Sequence, residues 1–290
     1  MLTPQDAGFL GSTTAKYIND IAPQLDGWFY PLDMMMFGMT EAFHRSLSLS
    51  GDIAEIGVWK GKSLALLAMI APVKDQLYAM DLFGDDLLEQ TQHNISRFVA
   101  PELASRIRYF KGNTADYSTD YLKTLFTNKL RVLHIDAGHE YHEVLHTLTL
   151  AAPFVQDYGI IIMDDYQDRE FPGVPAATLD YCYETAQGRW VPFLVGANKM
   201  YLANPVYAKL FQLFLCNEAY FKDSFRLSRI KDSLVLIAQS KLPMKSTVIE
   251  QLVKNQLHAV ATPTELETLT EKARSQSQTA LEAEQAQQVP

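Results

Sequence analysis

Four residues near the middle of this 290-residue chain have the types and spacing to work on a bound hydroxyl: Asp136, His139, Asp164 and Asp165. Carboxylates gathered at one place repel unless protons or a cation compensate them, and hard oxygen donors select Mg²⁺, Mn²⁺ or Ca²⁺. A metal held by Asp136, Asp164 and Asp165 would keep positions open for a substrate oxygen and lower its pKa. His139 follows Asp136 by three residues in HIDAGHEYH. An imidazole titrates near neutrality and suits removal of a proton from a hydroxyl being alkylated. A local role is open for Asp164 and Asp165: capping the next helix or pairing with Arg169. His134 falls inside a strand, and His142 and His146 share a helix face. With no HExxH arrangement, they read as packed or solvated rather than as a zinc pair.

A second set of residues points to a nucleotide-like cofactor. The stretch Ile53–Ser63, IAEIGVWKGKS, reads as a strand carrying Glu55, a turn with Gly57 and Gly61, and a helix starting at Ser63. Glycines let backbone approach a ligand, and free N–H groups in a first helical turn favour an anionic group. Asp81 ends the next strand, where its two acceptor oxygens suit a ribose diol, and Asn113 follows the third. The loop GVWKG departs from GxGxxG, which weakens a nicotinamide reading and leaves a cofactor with a ribose but no required pyrophosphate.

The elements that must position these groups alternate. Strands are predicted at 53–58, 76–80, 107–111, 131–135 and 159–163, with helices at 63–70, 87–98, 119–126, 142–154 and 174–185. Such alternation implies right-handed crossovers and a parallel sheet covered on both faces, with ligands bound beyond the carboxyl ends of the strands. Each of the five strands ends in a residue named above. Two further runs, 190–195 and 199–203, are separated only by Gly196-Ala197-Asn198 and so pair antiparallel. The fold class is therefore α/β, a doubly wound, mostly parallel, seven-stranded sheet that ends in an antiparallel hairpin.

Around this core (51–203), residues 1–50 read as a helical cap. Its cluster from Trp28 to Phe43 either packs on the sheet or a second subunit, or lines an apolar pocket. Residues 204–243 read as an aromatic-rich helical extension, and 244–290 as a polar tail, partly disordered. Twenty-five Lys and Arg against 34 Asp and Glu give a net charge of −9, which argues against general nucleic-acid or anionic-membrane binding. Cys182 and Cys216 lack CxxC spacing and read as reduced thiols. No basic leader precedes an apolar core, and no apolar run reaches the roughly 18 residues a membrane span needs. The expectation is a cytoplasmic protein.

Together, IAEIGVWKGKS, YAMDLF, LHIDAGHEYH and GIIIMDDYQDREFPGV resemble class I S-adenosylmethionine-dependent methyltransferases, specifically the metal-dependent macrocin and mycinamicin sugar O-methyltransferases. The resemblance covers roughly residues 27–203 and implies a Rossmann-like fold. It places Glu55, Gly57 and Gly61 around the methionine part of S-adenosyl-L-methionine, Asp81 on its ribose and Gly112-Asn113-Thr114 near its adenine, with Ser63 and Asp136 also among the cofactor-binding residues. It also implies Mg²⁺ on Asp136, Asp164 and Asp165, His139 as base, a small-molecule sugar or polyketide-type acceptor, and a homo-oligomer. The sequence departs from the family pattern at Ala137, at Tyr158-Gly159 and at Asp164, where relatives often carry Glu. A metal-independent O-methyltransferase and a non-catalytic scaffold of the same fold remain open; metal titration and cofactor calorimetry separate them.

Overall fold

The strand β1 (Asp52–Ile56) is buried along its whole length, as the centre of a sheet covered on both faces requires. The structure, a computed structural model, describes residues 11–217 and 224–238. Parallel neighbours of β1 are β2 (Leu77–Asp81) and β4 (Leu130–Ile135); β3 (Ile107–Lys111) extends the sheet beyond β2, and β5 (Val155–Met163) extends it beyond β4. The helices between them are α3 (Lys62–Ile70), α4 (Leu87–Phe98), the single turn α5 (Pro101–Ala104), α6 (Thr119–Leu125) and α7 (Tyr141–Ala151). Strand order reverses between β3 and β4, so β1 and β4 flank the switch point where a ligand crevice opens.

Beyond β5, α8 (Gly173–Asp180) leads to β6 (Val191–Val195) and β7 (Met200–Ala203). β7 inserts antiparallel between β5 and β6, as the short turn joining β6 to β7 demands. Neighbouring residues of β4 feed opposite layers of core: Val132 faces the side covered by α3, and Leu133 the side covered by α7. Before the sheet, α1 (Ser12–Lys16) and two short turns precede α2 (Pro31–Ser46). The Met34, Met35, Met36, Phe37, Met39 and Phe43 side chains of α2 are buried in the core, so this part of the cluster packs on the sheet.

Two expectations are corrected. Among the described residues the sheet has nine strands, in the order β3-β2-β1-β4-β5-β7-β6-β9-β8, where seven were expected. The extra two come from the segment read as helical. Of its described residues only Pro205–Asn217 is helical (α9), whereas β8 (Phe225–Ile230) and β9 (Ser233–Ala238) form an antiparallel hairpin through Lys231, whose φ is 50°. The apolar run SLVLIA suits a buried strand beside β6, and the aromatic spacing of 206–243 concealed it. Gln212 ties the addition down by donating to Phe193 O and Leu234 O at 2.9 and 2.8 Å. The expected tail, 244–290, lies outside the described residues. Among those described, no helix is long and apolar enough to cross a membrane.

Candidate active site

The loop after β1 is shaped by close approach. Gly57 has φ 87°, and a Cβ there would lie 1.8 Å from the Asp136 carbonyl oxygen, so only glycine lets the ends of β1 and β4 meet. Ladder bonds continue past both strands: Gly57 N–H donates to Met80 O at 2.8 Å and Asp136 N–H to Ile56 O at 2.7 Å. Asp81 gathers the loop, its Oδ2 accepting from Val58 and Trp59 N–H at 2.7 and 2.9 Å and its Oδ1 from Phe83 N–H at 2.7 Å. A carboxylate oxygen accepts about two hydrogen bonds, so Oδ2 is filled and Oδ1 has capacity for one ligand hydroxyl.

Two cavities meet at Gly57, Asp81 and Asp136. One, of about 620 Å³, is lined by Gly112, Asn113, Thr114 and the His142–Thr147 face of α7. Asn113 Oδ1 caps the following turn by accepting from Ala115 N–H at 2.9 Å. The other, of about 500 Å³, holds Ser63, His139, Asp164, Asp165, Asn198 and Lys199, with Trp28, Phe29, Trp59 and Phe171 as aromatic walls. Trp28 is 82% exposed and stacks on Trp59 with ring centroids 5.3 Å apart. Lys60 to Asp26 at 2.8 Å and Lys62 to Gly27 O at 3.0 Å hold the Trp28 segment over the loop.

His139 borders that second cavity. Its ring stacks on Phe171 at 3.9 Å between centroids, and its Nε2 lies 2.9 Å from Asp165 Oδ2. Asp165 has φ 54°, a left-handed conformation that aspartate tolerates better than most residues. Burial, and then the Asp164 carboxylate beside it, raise the pKa of Asp165. Asp136 is pushed well up by the same two causes in the same order.

Behind these groups lies a buried chain of polar contacts. Glu55 Oε1 meets His134 Nδ1 at 2.7 Å, His134 Nε2 meets Lys199 Nζ at 3.2 Å, and Lys199 donates to Asp164 Oδ2. Burial and Lys199 disfavour a charged His134 ring, but Asp164 and Glu55 outweigh them and raise its pKa to about 9. Nε2 faces the ammonium, with Asp164 Oδ2 3.8 Å away. A proton on Nδ1 gives the contacts to Glu55 and to Lys199 a donor and an acceptor each. Burial would raise Asp164, but the Lys199 ammonium holds its carboxyl well below the usual range. The lysine is set by α2: Asp33 accepts from Ala197 and Asn198 N–H, both at 2.9 Å, and fixes the β6–β7 turn.

The sequence profile of a family described as a methyltransferase domain matches residues 54–166, from β1 to just past β5. The chain is 26% identical over 170 residues to uncharacterized protein R132 of Acanthamoeba polyphaga mimivirus, covering 54% of this chain and 75% of that one. The solved structure of the O-methyltransferase NovP superposes with a TM-score of 0.52 at 17% identity, covering 67% of this chain and 99% of NovP, and shares its class I fold. CalS11, a TDP-rhamnose 3'-O-methyltransferase of calicheamicin biosynthesis, has a TM-score of 0.49 at 14% identity, over 70% of this chain and 96% of that one.

The expected cofactor residues divide. Gly57, Asp81 and Asp136 line both cavities, Ser63 the aromatic one and Asn113 the other. Glu55 and Gly61 line neither: Glu55 is turned inward to His134, and Gly61, at φ 79°, is the left-handed residue that starts α3. The expected Mg²⁺ ligands divide as well. Asp136 groups with His134 and Asp164 on one side and with His139 and Asp165 on the other. Asp164 gives Oδ2 to Lys199 and Oδ1 to Asp165 N–H at 2.8 Å, with Asn198 Nδ2 a further 3.4 Å away, and Asp165 Oδ1 accepts from Asn198 at 2.8 Å. A carboxylate already neutralised by a buried ammonium does not fit a three-aspartate Mg²⁺ site. Sequence reasoning missed Lys199, Asn198 and Asp33. The available signal was a lysine opening the otherwise apolar strand KMYLA, a costly residue to bury without a partner.

Proposed function

We propose that this methyltransferase domain moves a methyl group from S-adenosyl-L-methionine to a hydroxyl of a small molecule, with His139 as general base. The observation that carries the reading is the meeting of two cavities at Gly57, Asp81 and Asp136, one with a free acceptor on Asp81 Oδ1 and the other with His139 at its edge. S-adenosylmethionine, when bound, supplies a methyl group already activated on a sulfonium. Asp81 Oδ1 accepts a ribose hydroxyl, Gly57 gives the donor room beside Asp136, and Asn113 borders the adenine.

His139 keeps its Nε2 proton on Asp165, which leaves Nδ1 to take the acceptor's proton. Asp165 thereby fixes the ring's tautomer and orientation. The aromatic walls at Trp28, Trp59 and Phe171 suit a ring-shaped acceptor laid flat against them. That agrees with the sugar or polyketide-type acceptor implied by the resemblance, and NovP is itself named an O-methyltransferase. Orientation at near-attack distance supplies most of the acceleration, because the methyl donor needs only an aligned nucleophile.

The test is a radiolabelled methyl-transfer assay over a panel of glycosides and polyketide glycosides. The wild type is expected to label at least one of them, and His139→Ala to lower kcat by about 10²- to 10⁴-fold with donor affinity kept. Undiminished turnover in His139→Ala would remove the base assignment.

A further inference from the structure

The polar chain behind the cavity holds a cation of its own. Lys199 is 2% exposed, and its Nζ contacts Asp164 and His134 and lies 5.2 Å from the ring centroid of Phe29 and 5.9 Å from that of Phe37. An ammonium so enclosed is tolerable only beside a carboxylate, and a carboxylate so enclosed only beside a cation. A divalent ion on Asp164 would have to displace that lysine or sit against its charge.

We propose that Lys199 is the built-in cation of this site, taking the electrostatic place of a divalent metal, so that Asp164 is a structural counter-ion and Asp165 is free to orient His139. The proposal rests on the O-methyltransferase reading only for what the site does; the charge arrangement stands without it. Three placements support it. Asp33 on α2 clamps the β6–β7 turn that presents Asn198 and Lys199. Asn198 Nδ2 bridges towards the two aspartates, at 2.8 Å from Asp165 Oδ1 and 3.4 Å from Asp164 Oδ1. His134 and Glu55 continue the chain inward, so the ammonium is held from the side away from the cavity as well.

The test is Mn²⁺ binding to the full-length protein, followed by loss of the free-ion electron paramagnetic resonance signal, with and without S-adenosylhomocysteine. The wild type is expected to show no saturable site tighter than about 1 mM, weaker than ordinary carboxylate sites. Lys199→Met removes the charge but keeps an apolar stem, and is expected to bind Mn²⁺ at least about tenfold more tightly, because ligand charge is no longer neutralised. It should also melt lower, and adding Asp164→Asn should restore much of the loss. If the single variant does not fold, the wild-type titration and the melting of the double variant still decide. Stoichiometric Mn²⁺ uptake by the wild type would overturn the proposal, as would a Lys199→Met protein that folds and binds Mn²⁺ no better. Failure of S-adenosylhomocysteine to bind would strike the methyltransferase reading instead and leave the Mn²⁺ result standing.

Discussion

His139 and Asp165 come from different loops, one after β4 and one after β5, and meet at 2.9 Å. Asp165→Asn keeps the size of the partner and removes its charge. The expected outcome in steady-state kinetics is a kcat lowered by about tenfold or more with KM for the donor unchanged, since the positioned base alone is weakened. A residue that only held the loop would instead lower thermal stability and leave kcat of the folded fraction intact. His44 supplies a contrasting histidine: burial, with the Arg131 guanidinium beside it, presses its pKa down to about 3. Its neutral ring donates Nε2–H to Tyr158 O at 3.2 Å and accepts from Arg131 at 3.1 Å. Its unfolded pKa lies near 6.5, above the folded value, so its contribution is present above about pH 6.5 and is lost as pH falls towards 3. Melting curves of His44→Gln against the wild type should show a shallower decline between about pH 6 and 4.5, by up to about 1.4 kcal/mol per pH unit.

The elements that carry chemistry do so at their ends, and this made Asp136, His139 and Asp165 legible: an apolar strand that stops on an acid is visible in one dimension. What each acid faces is not. Glu55 sits one residue before the end of β1, and the pleat turns its side chain into the core towards His134, while Gly57 two residues later opens on both cavities. Lys199 was hidden for a related reason, since its partners lie on β4 and after β5, far away in sequence. The turn that presents it depends on Asp33 from α2. Asp33→Ala leaves two half-buried N–H groups of that turn without their partner, and should cost about 1 kcal/mol in denaturant melts while also lowering kcat. Gly57→Ala tests the crevice itself: the added Cβ meets Asp136 O, so donor binding should be lost more completely than stability.

At the scale of the whole molecule, alternating apolar and helical runs specified the parallel half of the sheet, and the short turn at Gly196 specified the reversal of β7. The hairpin β8–β9 escaped because aromatic spacing in 206–243 fits a helix as readily as strands, and pairing with β6 is a long-range fact. Its attachment leans on Gln212, which bridges Phe193 O and Leu234 O. Gln212→Leu keeps the volume but orphans both carbonyls, and should lower unfolding free energy by about 1–3 kcal/mol without changing donor affinity. These layers serve the proposed arrangement: a donor crevice at the switch point between β1 and β4, with the acceptor side beyond it under the aromatic walls. Calorimetric titration of the protein with S-adenosylhomocysteine tests that arrangement most directly. The account predicts saturable one-to-one binding, weakened at least about tenfold in Asp81→Ala, whose lost carboxylate both holds the loop and accepts the ribose hydroxyl. No heat of binding from the folded wild type, or equal binding by Asp81→Ala, would contradict it.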